Sequence, residues 1–327
     1  MLKPFAIAGI QMKVHASHSN LEMMKFKLGV LMSTYPWVQM VMFSELCTYG
    51  PLTHNAVEPG SQLEDAFKKM AQKYDIWLCP GSFFVKKDDK VYNRTMMINP
   101  QGEIVGSYDK MFPFLPYEEG VTGGNEFCVF DVPDVGRFGM SICYDMWFPE
   151  TTRTLAAMGA EVILHPTLTG TIDRDIELSI VQASAAMNQC FIFDVNGLYS
   201  GGNGRSIVCG PDGRKIYQAS TGEEFIPIEI DISRVERSRK FGVLRLGQPL
   251  KSFRDRNVDF TVYDRNKVFP YLNSLGDIRK QTRLDKIADA IEAPEPYTKE
   301  GDFTVNPTGE GDGDVRVPNL PENSELP

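Results

Sequence analysis

Short apolar runs typical of β-strands alternate with stretches of helical periodicity over the first 237 residues. The strand-like runs include FAIAGI (5–10), VQMVMF (38–43), RFGMSIC (137–143), EVILHP (161–166) and CFIFDVN (190–196). Leu21, Met24, Leu28 and Leu31 recur at the spacing of one helix face. Further helices are predicted around 63–74, from Pro149 onward and over about 173–189. The alternation predicts an α/β protein.

Two features of the strands indicate how they are arranged. VYNRTMMI (91–98) and EIVGSY (103–108) flank NPQG, whose turn chemistry predicts a β-hairpin. Continuous apolar segments such as EVIL and CFIF are typical of sheets buried on both faces. We therefore expect a layered α/β sandwich with the helices outside and the sheets inside.

The pattern divides the chain into three parts. Residues 1–237 form the predicted domain, and the weaker pattern of 238–293 predicts an extension anchored by a few apolar residues. Residues 294–327 contain six prolines, four glycines, eight acidic residues and two basic residues, so this tail carries −6 of the total charge of −9. Such a composition is typical of an extended or disordered segment. The rest of the chain is close to neutral.

Composition excludes several classes of protein. With 327 residues, of which 42% are hydrophobic, the chain can bury a substantial core. Its six cysteines lack a CxxC pair, which favours a reducing compartment, and the N-terminus lacks the features of a signal peptide. No apolar run is long enough to span a bilayer, and no basic cluster suggests a nucleic-acid partner. We expect a cytoplasmic protein that acts on small molecules.

Cys143 is the most informative candidate for chemistry. It ends the apolar strand RFGMSI and precedes YDMWFPE, where the chain turns from strand toward helix. Such an elbow exposes a side chain and leaves backbone N–H groups to hold an oxyanion, and a nearby helix start lowers a thiol pKa. The alternative is a buried core cysteine, which is the commoner state of a free thiol.

Two charged residues accompany it. Glu45 follows the apolar strand VQMVMF, where partial burial would raise its pKa toward that of a general base; the alternative is an acid in the first turn of a helix. Lys110 lies in YDKMFPFLP, a stiff apolar loop in which a cation can stabilise developing negative charge, although a solvated loop lysine is the simpler interpretation.

Taken together, these residues resemble the nitrilase superfamily of carbon–nitrogen hydrolases. The resemblance runs from about Phe5 to Arg237 and includes AIAGIQM, FSEL, the DK loop, CYDMWFPE, GAEVILHPT and GNGRSIVCGPDGR. It implies an α-β-β-α sandwich with a catalytic triad of Glu45, Lys110 and Cys143, and no metal or cofactor. Family members are usually oligomeric, which implies at least a homodimer, with Phe241, Leu244, Leu246, Leu250 and Phe253 as anchors of an assembly arm.

The loop after the lysine resembles that of the aliphatic amidases. Prolines follow Lys110 by three and six residues, and Glu118 follows it by eight. In the family this second glutamate positions the amide, although the adjacent Glu119 is an alternative and either acid could be a solvated loop charge. The family mechanism implies proton transfer to Glu45, attack by Cys143, and an oxyanion held by Lys110 and the Tyr144 N–H.

The branch of the family is indicated by the residues after the cysteine. Tyr144 and Asp145 resemble amidases and carbamoylases, whereas nitrile-hydrolysing members have Trp-Glu there. Met146 and Trp147 stand where carbamoylases of carboxylated substrates often carry arginine. We therefore expect hydrolysis of a small aliphatic amide, with N-carbamoyl hydrolysis and nitrile hydrolysis as alternatives. Candidate pocket residues, each equally explained as packing, are Tyr49, Tyr144, Trp147 and Thr167.

Other classes of function have weaker support. A Cys–His enzyme needs a histidine near Cys143, and only His165, at the end of a strand, lies in a suitable place. No HExxH motif or Cys/His spacing suggests a metal site, and GGNG (201–204) lacks the lysine and context of a phosphate-binding loop. A non-catalytic oligomeric interaction protein that keeps the fold is the remaining alternative, and the intact triad argues against it.

Overall fold

The computed structural model describes residues 4–280, which contain sixteen strands and seven α-helices. The strands are β1 (Pro4–Gln11), β2 (Lys13–Val14), β3 (Met40–Phe43), β4 (Trp77–Cys79), β5 (Ser82–Lys87), β6 (Lys90–Ile98), β7 (Ile104–Asp109), β8 (Cys128–Val132), β9 (Gly136–Met140), β10 (Val162–Thr167), β11 (Phe191–Asn196), β12 (Leu198–Tyr199), β13 (Gly202–Asn203), β14 (Ile207–Cys209), β15 (Lys215–Gln218) and β16 (Glu224–Asp231). The helices are α1 (Leu21–Thr34), α2 (Gln62–Tyr74), α3 (Pro149–Ala157), α4 (Arg174–Asn188), α5 (Ser233–Phe241), α6 (Pro249–Arg254) and α7 (Pro270–Asn273).

Two mixed sheets form the centre of the fold. One sheet has the strand order β16-β1-β3-β4-β6-β5, with β7 also paired to β6, and the other has the order β15-β14-β11-β10-β9-β8. The parallel pairs β1–β3, β3–β4, β9–β10 and β10–β11 bring the carboxyl ends of neighbouring strands to one edge of each sheet. A small third sheet contains β13, β12 and β2.

The period-two alternation of the strands explains the layers. On β3, Met40 and Met42 pack between the two sheets, whereas Val41 and Phe43 face the other way, toward α1 and α2. On the second sheet, Ile163 of β10 packs toward α3 and α4. Three apolar layers therefore separate four layers of secondary structure, and the predicted α-β-β-α sandwich is confirmed.

Most predicted elements correspond to observed ones. The hairpin at NPQG is confirmed, since β6 and β7 pair in antiparallel register around it. The helix predicted over 173–189 is α4. The predicted division after Arg237 lies inside α5, within a compact unit that extends to Gly276, and the three-part domain organisation stays a prediction.

The C-terminal part of the predicted assembly arm and the whole acidic tail lie outside the described residues. Within the described part of the chain, no helix is both long enough and apolar enough to cross a membrane.

Candidate active site

Glu45 lies two residues beyond β3, where the chain leaves the first sheet and touches the second. Its backbone N–H donates to the carbonyl oxygen of Thr167 at the end of β10, at 3.3 Å. The next residue, Leu46, has a positive φ of 49° and donates its N–H to Ser82 Oγ at 3.0 Å. These contacts hold the carboxyl group at the edge where strands of the two sheets end.

Lys110 directly follows β7 and is one of the most deeply buried charged residues of the fold, at 1% exposed. Its backbone N–H donates to the carbonyl oxygen of Asn93 on β6 at 2.9 Å, which continues the hairpin ladder by one residue. Such complete burial of an ammonium group requires anionic partners.

Cys143 begins a 3₁₀ turn, Cys143–Trp147, three residues after β9. Its φ of 46° is in the left-handed region, which is strained for a non-glycine residue. Asp145 holds this turn by accepting hydrogen bonds from the backbone N–H of Ile142 at 2.9 Å and of Phe112 at 2.9 Å. Tyr108 Oη donates to the same carboxylate at 2.7 Å. The predicted elbow is thus tied to the loop that carries Lys110.

A hydrogen-bonded cluster joins four side chains beside this turn. Lys110 Nζ lies 2.9 Å from Glu45 Oε1 and 2.7 Å from Glu118 Oε2. Asn93 Nδ2 also donates to both carboxylates, to Glu45 at 2.8 Å and to Glu118 at 3.1 Å. One ammonium and one amide therefore hold the two glutamates side by side.

Burial sets the protonation of this cluster. Desolvation raises the pKa of Glu45 to about 7, and the Lys110 charge offsets only part of that effect. Burial and the Glu45 charge raise the pKa of the Cys143 thiol well above its usual range, against the influence of Lys110. Burial alone would lower the pKa of Lys110, but Glu45, Cys143 and Glu118 raise it overall, so the lysine stays cationic.

The structure distinguishes the two adjacent glutamates. Glu118 accepts from Lys110 and from the Phe114 N–H at 2.5 Å, while Glu119 is exposed. Of the two, Glu118 is the one that joins the cluster.

The family comparison is consistent with this geometry. A model of the family described as carbon–nitrogen hydrolase matches residues 12–240, well over half of the chain. The chain belongs to the carbon–nitrogen hydrolase family. This identifies it as an amidase-type enzyme of the nitrilase superfamily, as the resemblance predicted.

Individual relatives of this carbon–nitrogen hydrolase are more distant. A citrullinase of Francisella tularensis is 29% identical over 58% of this chain and 73% of its own length. A 2-oxoglutaramate amidase of Bacillus subtilis is 29% identical over 62% of this chain and 81% of its own length. The crystal structure of Saccharomyces cerevisiae Nit3, a member of branch 10 of the nitrilase superfamily, aligns with a TM-score of 0.68 and 24% identity over 73% of this chain and 94% of that one. The structural likeness shows the shared fold.

The candidate pocket residues of this carbon–nitrogen hydrolase lie in different places. Trp147 lines a small cavity together with Cys143, and Tyr144 packs against Phe114 at a ring distance of 4.9 Å. Thr167 accepts from the Glu45 backbone N–H, and its hydroxyl donates at 3.0 Å to Asp194, which also lines that cavity. The structure places Tyr49 elsewhere: it lies in the groove between α1 and α2, packed against the outer apolar layer.

Aromatic rings connect the lysine loop to the cysteine turn. Phe112 stacks on Phe148 at 3.7 Å between ring centroids, Phe148 contacts Tyr144 edge-on, and Phe114 contacts both Tyr144 and Tyr117. This aromatic cluster borders the four-residue cluster and gives the site apolar surroundings, in which charge interactions weaken less than in water.

Sequence reasoning missed Asn93 and the role of Asp145. Asn93 sits in an ordinary strand pattern, VYNRTMMI, and no local signal distinguishes it. In the sequence, Asp145 indicates only the branch of the family. His165, the candidate for a Cys–His enzyme, forms a hydrogen bond with Ser141 Oγ through Nδ1 at 2.7 Å, and burial lowers its pKa to about 4.

Residues 4–280 contain no candidate metal site, because no group of three or more His, Cys, Asp or Glu side chains among them is placed to hold an ion.

Proposed function

We propose that this enzyme hydrolyses a small aliphatic amide with a non-anionic acyl group to a carboxylic acid and ammonia. The observation that carries the proposal is the buried contact of Lys110 with Glu45 and Glu118 beside the Cys143 turn. This arrangement supplies a base, a fixed cation and a thiol in one apolar site.

In the acylation step, Glu45 takes the proton of the Cys143 thiol as Sγ attacks the amide carbon. The carbonyl oxygen becomes an oxyanion, for which Lys110 Nζ and the Tyr144 N–H are the proposed donors. The C–N bond then breaks, and ammonia leaves with the proton returned by Glu45. A carboxyl group with a pKa of about 7 suits both directions of this transfer at neutral pH.

In the deacylation step, Glu45 takes a proton from water as the water oxygen attacks the thioester. The C–S bond breaks, the acid is released, and Cys143 recovers its proton. Glu118 contributes by fixing the position of Lys110.

The charges around the site support a non-anionic substrate. Glu45 and Glu118 share Lys110, while Glu177 and Asp194, which line the cavity at Cys143, share Arg174. Carboxylates therefore outnumber cations among these described groups, and a further anion would be repelled. The 2-oxoglutaramate of the Bacillus relative's name is an anion, so we expect this enzyme to take a different acyl group.

The decisive measurement is ammonia release from short aliphatic amides, ureido acids and nitriles by the wild-type protein and by Cys143→Ala. We expect turnover of the amides and none by the variant, since no other described thiol adjoins Glu45 and Lys110. Preference for ureido acids would favour the N-carbamoyl alternative, which the citrullinase relative suggests. The proposal would be refuted if the wild-type protein hydrolysed no substrate of the panel, or if Cys143→Ala kept full activity.

A further inference from the structure

A small cavity borders Cys143 on the side of α4. Its wall includes Cys143, Trp147, His165, Glu177 and Asp194, and its volume is about 10 Å³. A space of this size holds one water-sized group. Because Cys143 and Glu177 line the same cavity, a small group carried one carbon from the reacting carbonyl would be the part of a bound amide nearest to Glu177.

Two carboxylates of this wall share one guanidinium. Arg174, itself 1% exposed, pairs closely with Asp194 and also donates to the carbonyl oxygen of Arg205 at 3.0 Å. Its contact with Glu177 is longer, at 3.2 Å from Nη1 to Oε2. Glu177 also accepts from Trp147 Nε1 at 3.3 Å and from the side chain of Thr169, and burial raises the pKa of its carboxyl group. One guanidinium thus serves two carboxylates, and Glu177 has the weaker share.

The remaining wall residues do not compensate that charge. His165 forms a hydrogen bond with Ser141 through Nδ1, and its Nε2 lies 3.8 Å from Asp194, which is too long for a hydrogen bond. Burial keeps this ring neutral at pH 7. The other lining groups are Met146, Ile180 and Val181, which carry no charge.

We propose that Glu177 is a specificity residue that selects amides carrying a small amino group one carbon from the reacting carbonyl. The inference rests on the proposed amide hydrolysis and narrows its substrate class. An ammonium group in the cavity would form a charge-assisted hydrogen bond with Glu177. A methyl group would leave the carboxylate without that bond, and a substrate carboxylate would be repelled by it.

Three short amides that differ in one group test the idea, and glycinamide and propionamide are the pair matched in size. Glycinamide, propionamide and malonamate carry an ammonium, a methyl and a carboxylate at the same position. At pH 7 we expect the wild-type kcat/KM to fall in that order, with glycinamide preferred over propionamide by roughly tenfold, as for one charge-assisted contact. Preference for malonamate, or equal values for glycinamide and propionamide, would overturn the assignment.

Variants distinguish a direct contact of the substrate with Glu177 from a general effect of negative charge near the site. Glu177→Gln is expected to lose the glycinamide preference while still hydrolysing propionamide, and Glu177→Asp, which keeps the charge, is expected to retain it. Asp175→Asn is the matched control, because this exposed carboxylate lies in the same first turn of α4 and pairs with Arg205. An unchanged preference in Glu177→Gln, or a loss of preference in Asp175→Asn, contradicts the inference.

Turnover of propionamide by the wild type tests the proposed function separately. If propionamide is hydrolysed and the preference is absent, only the role of Glu177 fails. If Glu177→Gln does not fold, the ranking of the three substrates by the wild type and by Glu177→Asp decides the question. If the wild type hydrolyses none of them, both proposals are overturned.

Discussion

Two effects of the surroundings shift the pKa of Glu45 in opposite directions. Burial raises its pKa to about 7, and contact with Lys110 prevents a larger rise. As the proposed base it must be ionised to accept the thiol proton, and below its pKa it is increasingly protonated. We therefore expect kcat/KM for an amide to fall as pH drops below about 7, by about tenfold per unit at the acid end.

The measurement is a pH profile of ammonia release, with circular dichroism at each pH to show that the fold persists. An apparent pKa near 4.5, the ordinary value for a glutamate, would contradict the assigned role. The observed value belongs to the coupled cluster rather than to Glu45 alone, because Lys110 and Glu118 share its charge.

Asn93 touches three of the proposed catalytic residues: its amide donates to Glu45 and Glu118, and its carbonyl oxygen accepts from the Lys110 backbone. Asn93→Ala removes the two side-chain bonds and leaves the buried carboxylate of Glu45 and the half-buried one of Glu118 short of a donor. We expect kcat to fall by roughly 10- to 100-fold with little change in KM, as for loss of one or two hydrogen bonds to charged groups.

Asn99→Ala is the control for this substitution. Asn99 lies just beyond the other end of β6 and forms hydrogen bonds with Glu103 in the hairpin turn, so its loss affects stability without touching the site. Equal kinetic losses in both variants would show that Asn93 acts only through stability.

At the residue scale, the sequence predicts side chains with distinctive neighbours and misses ordinary ones. Glu45 and Cys143 each follow an apolar strand, and Lys110 directly follows the hairpin strand β7, so the ends of strands bring them to one edge. Glu118 and Glu119 are indistinguishable in sequence, since only the folded loop determines which one faces Lys110. The sequence predicts Tyr49 near the pocket, but four residues after Glu45 the chain has already turned toward α1 and α2.

Among the elements, the β4–β5 turn supports the segment that carries Glu45. Gly81 has a φ of +77°, and a Cβ there would lie 2.0 Å from the Ser44 carbonyl oxygen and 2.9 Å from Cys47 Sγ. Gly81→Ala must therefore move backbone next to the base. We expect a loss of stability from the positive φ, about 1–2 kcal/mol, with a clash of roughly 1–3 kcal/mol added, and a loss of activity.

Gly60→Ala isolates the conformational part of this effect. Gly60 has a similar φ of +74°, and nothing lies within 4 Å of its added Cβ. Thermal unfolding of the two variants should show the larger decrease for Gly81→Ala, and ammonia release should fall only there. Equal shifts in the unfolding temperature would mean that the β4–β5 turn relaxes without cost.

At this scale, the spacing of the apolar residues predicts the longer strands and the helices that pack into the core. The third, small sheet of β2, β12 and β13 was not predicted, because its two-residue strands are too short to show a period. The division after Arg237 was drawn where the apolar pattern weakens, but α5 continues across it, since Val235 packs into the core between the sheets.

For the whole molecule, the segment from Phe241 to Leu275 leaves many large apolar side chains exposed. They include Phe241, Leu244, Leu246, Phe260, Tyr271 and Leu272. Exposed apolar area on this scale is typical of an interaction surface. Leu244 and Leu246 are 57% and 77% exposed, whereas Phe253 is partly covered by the guanidinium of Arg153 at 5.2 Å.

We predict that the enzyme is at least a homodimer through this segment. Multi-angle light scattering at micromolar concentration should give a multiple of the chain mass for the wild type and a smaller one for Leu244→Glu combined with Leu246→Glu. Truncation after Ala293, which removes the acidic tail, is expected to leave the number of chains per particle and the activity unchanged. A monomeric wild type would contradict the prediction.

The six cysteines of the chain are all unpaired and buried. Burial raises the pKa of all six thiols, to about 11 for Cys128 and to about 12 for Cys190 and Cys209, so each is protonated at rest. Cys143 differs in lying beside both Glu45, the proposed acceptor of its proton, and Lys110. An alkylating agent shaped like a small amide, such as iodoacetamide, should therefore react with one equivalent per native chain, which allows the competent molecules in any preparation to be counted by mass spectrometry.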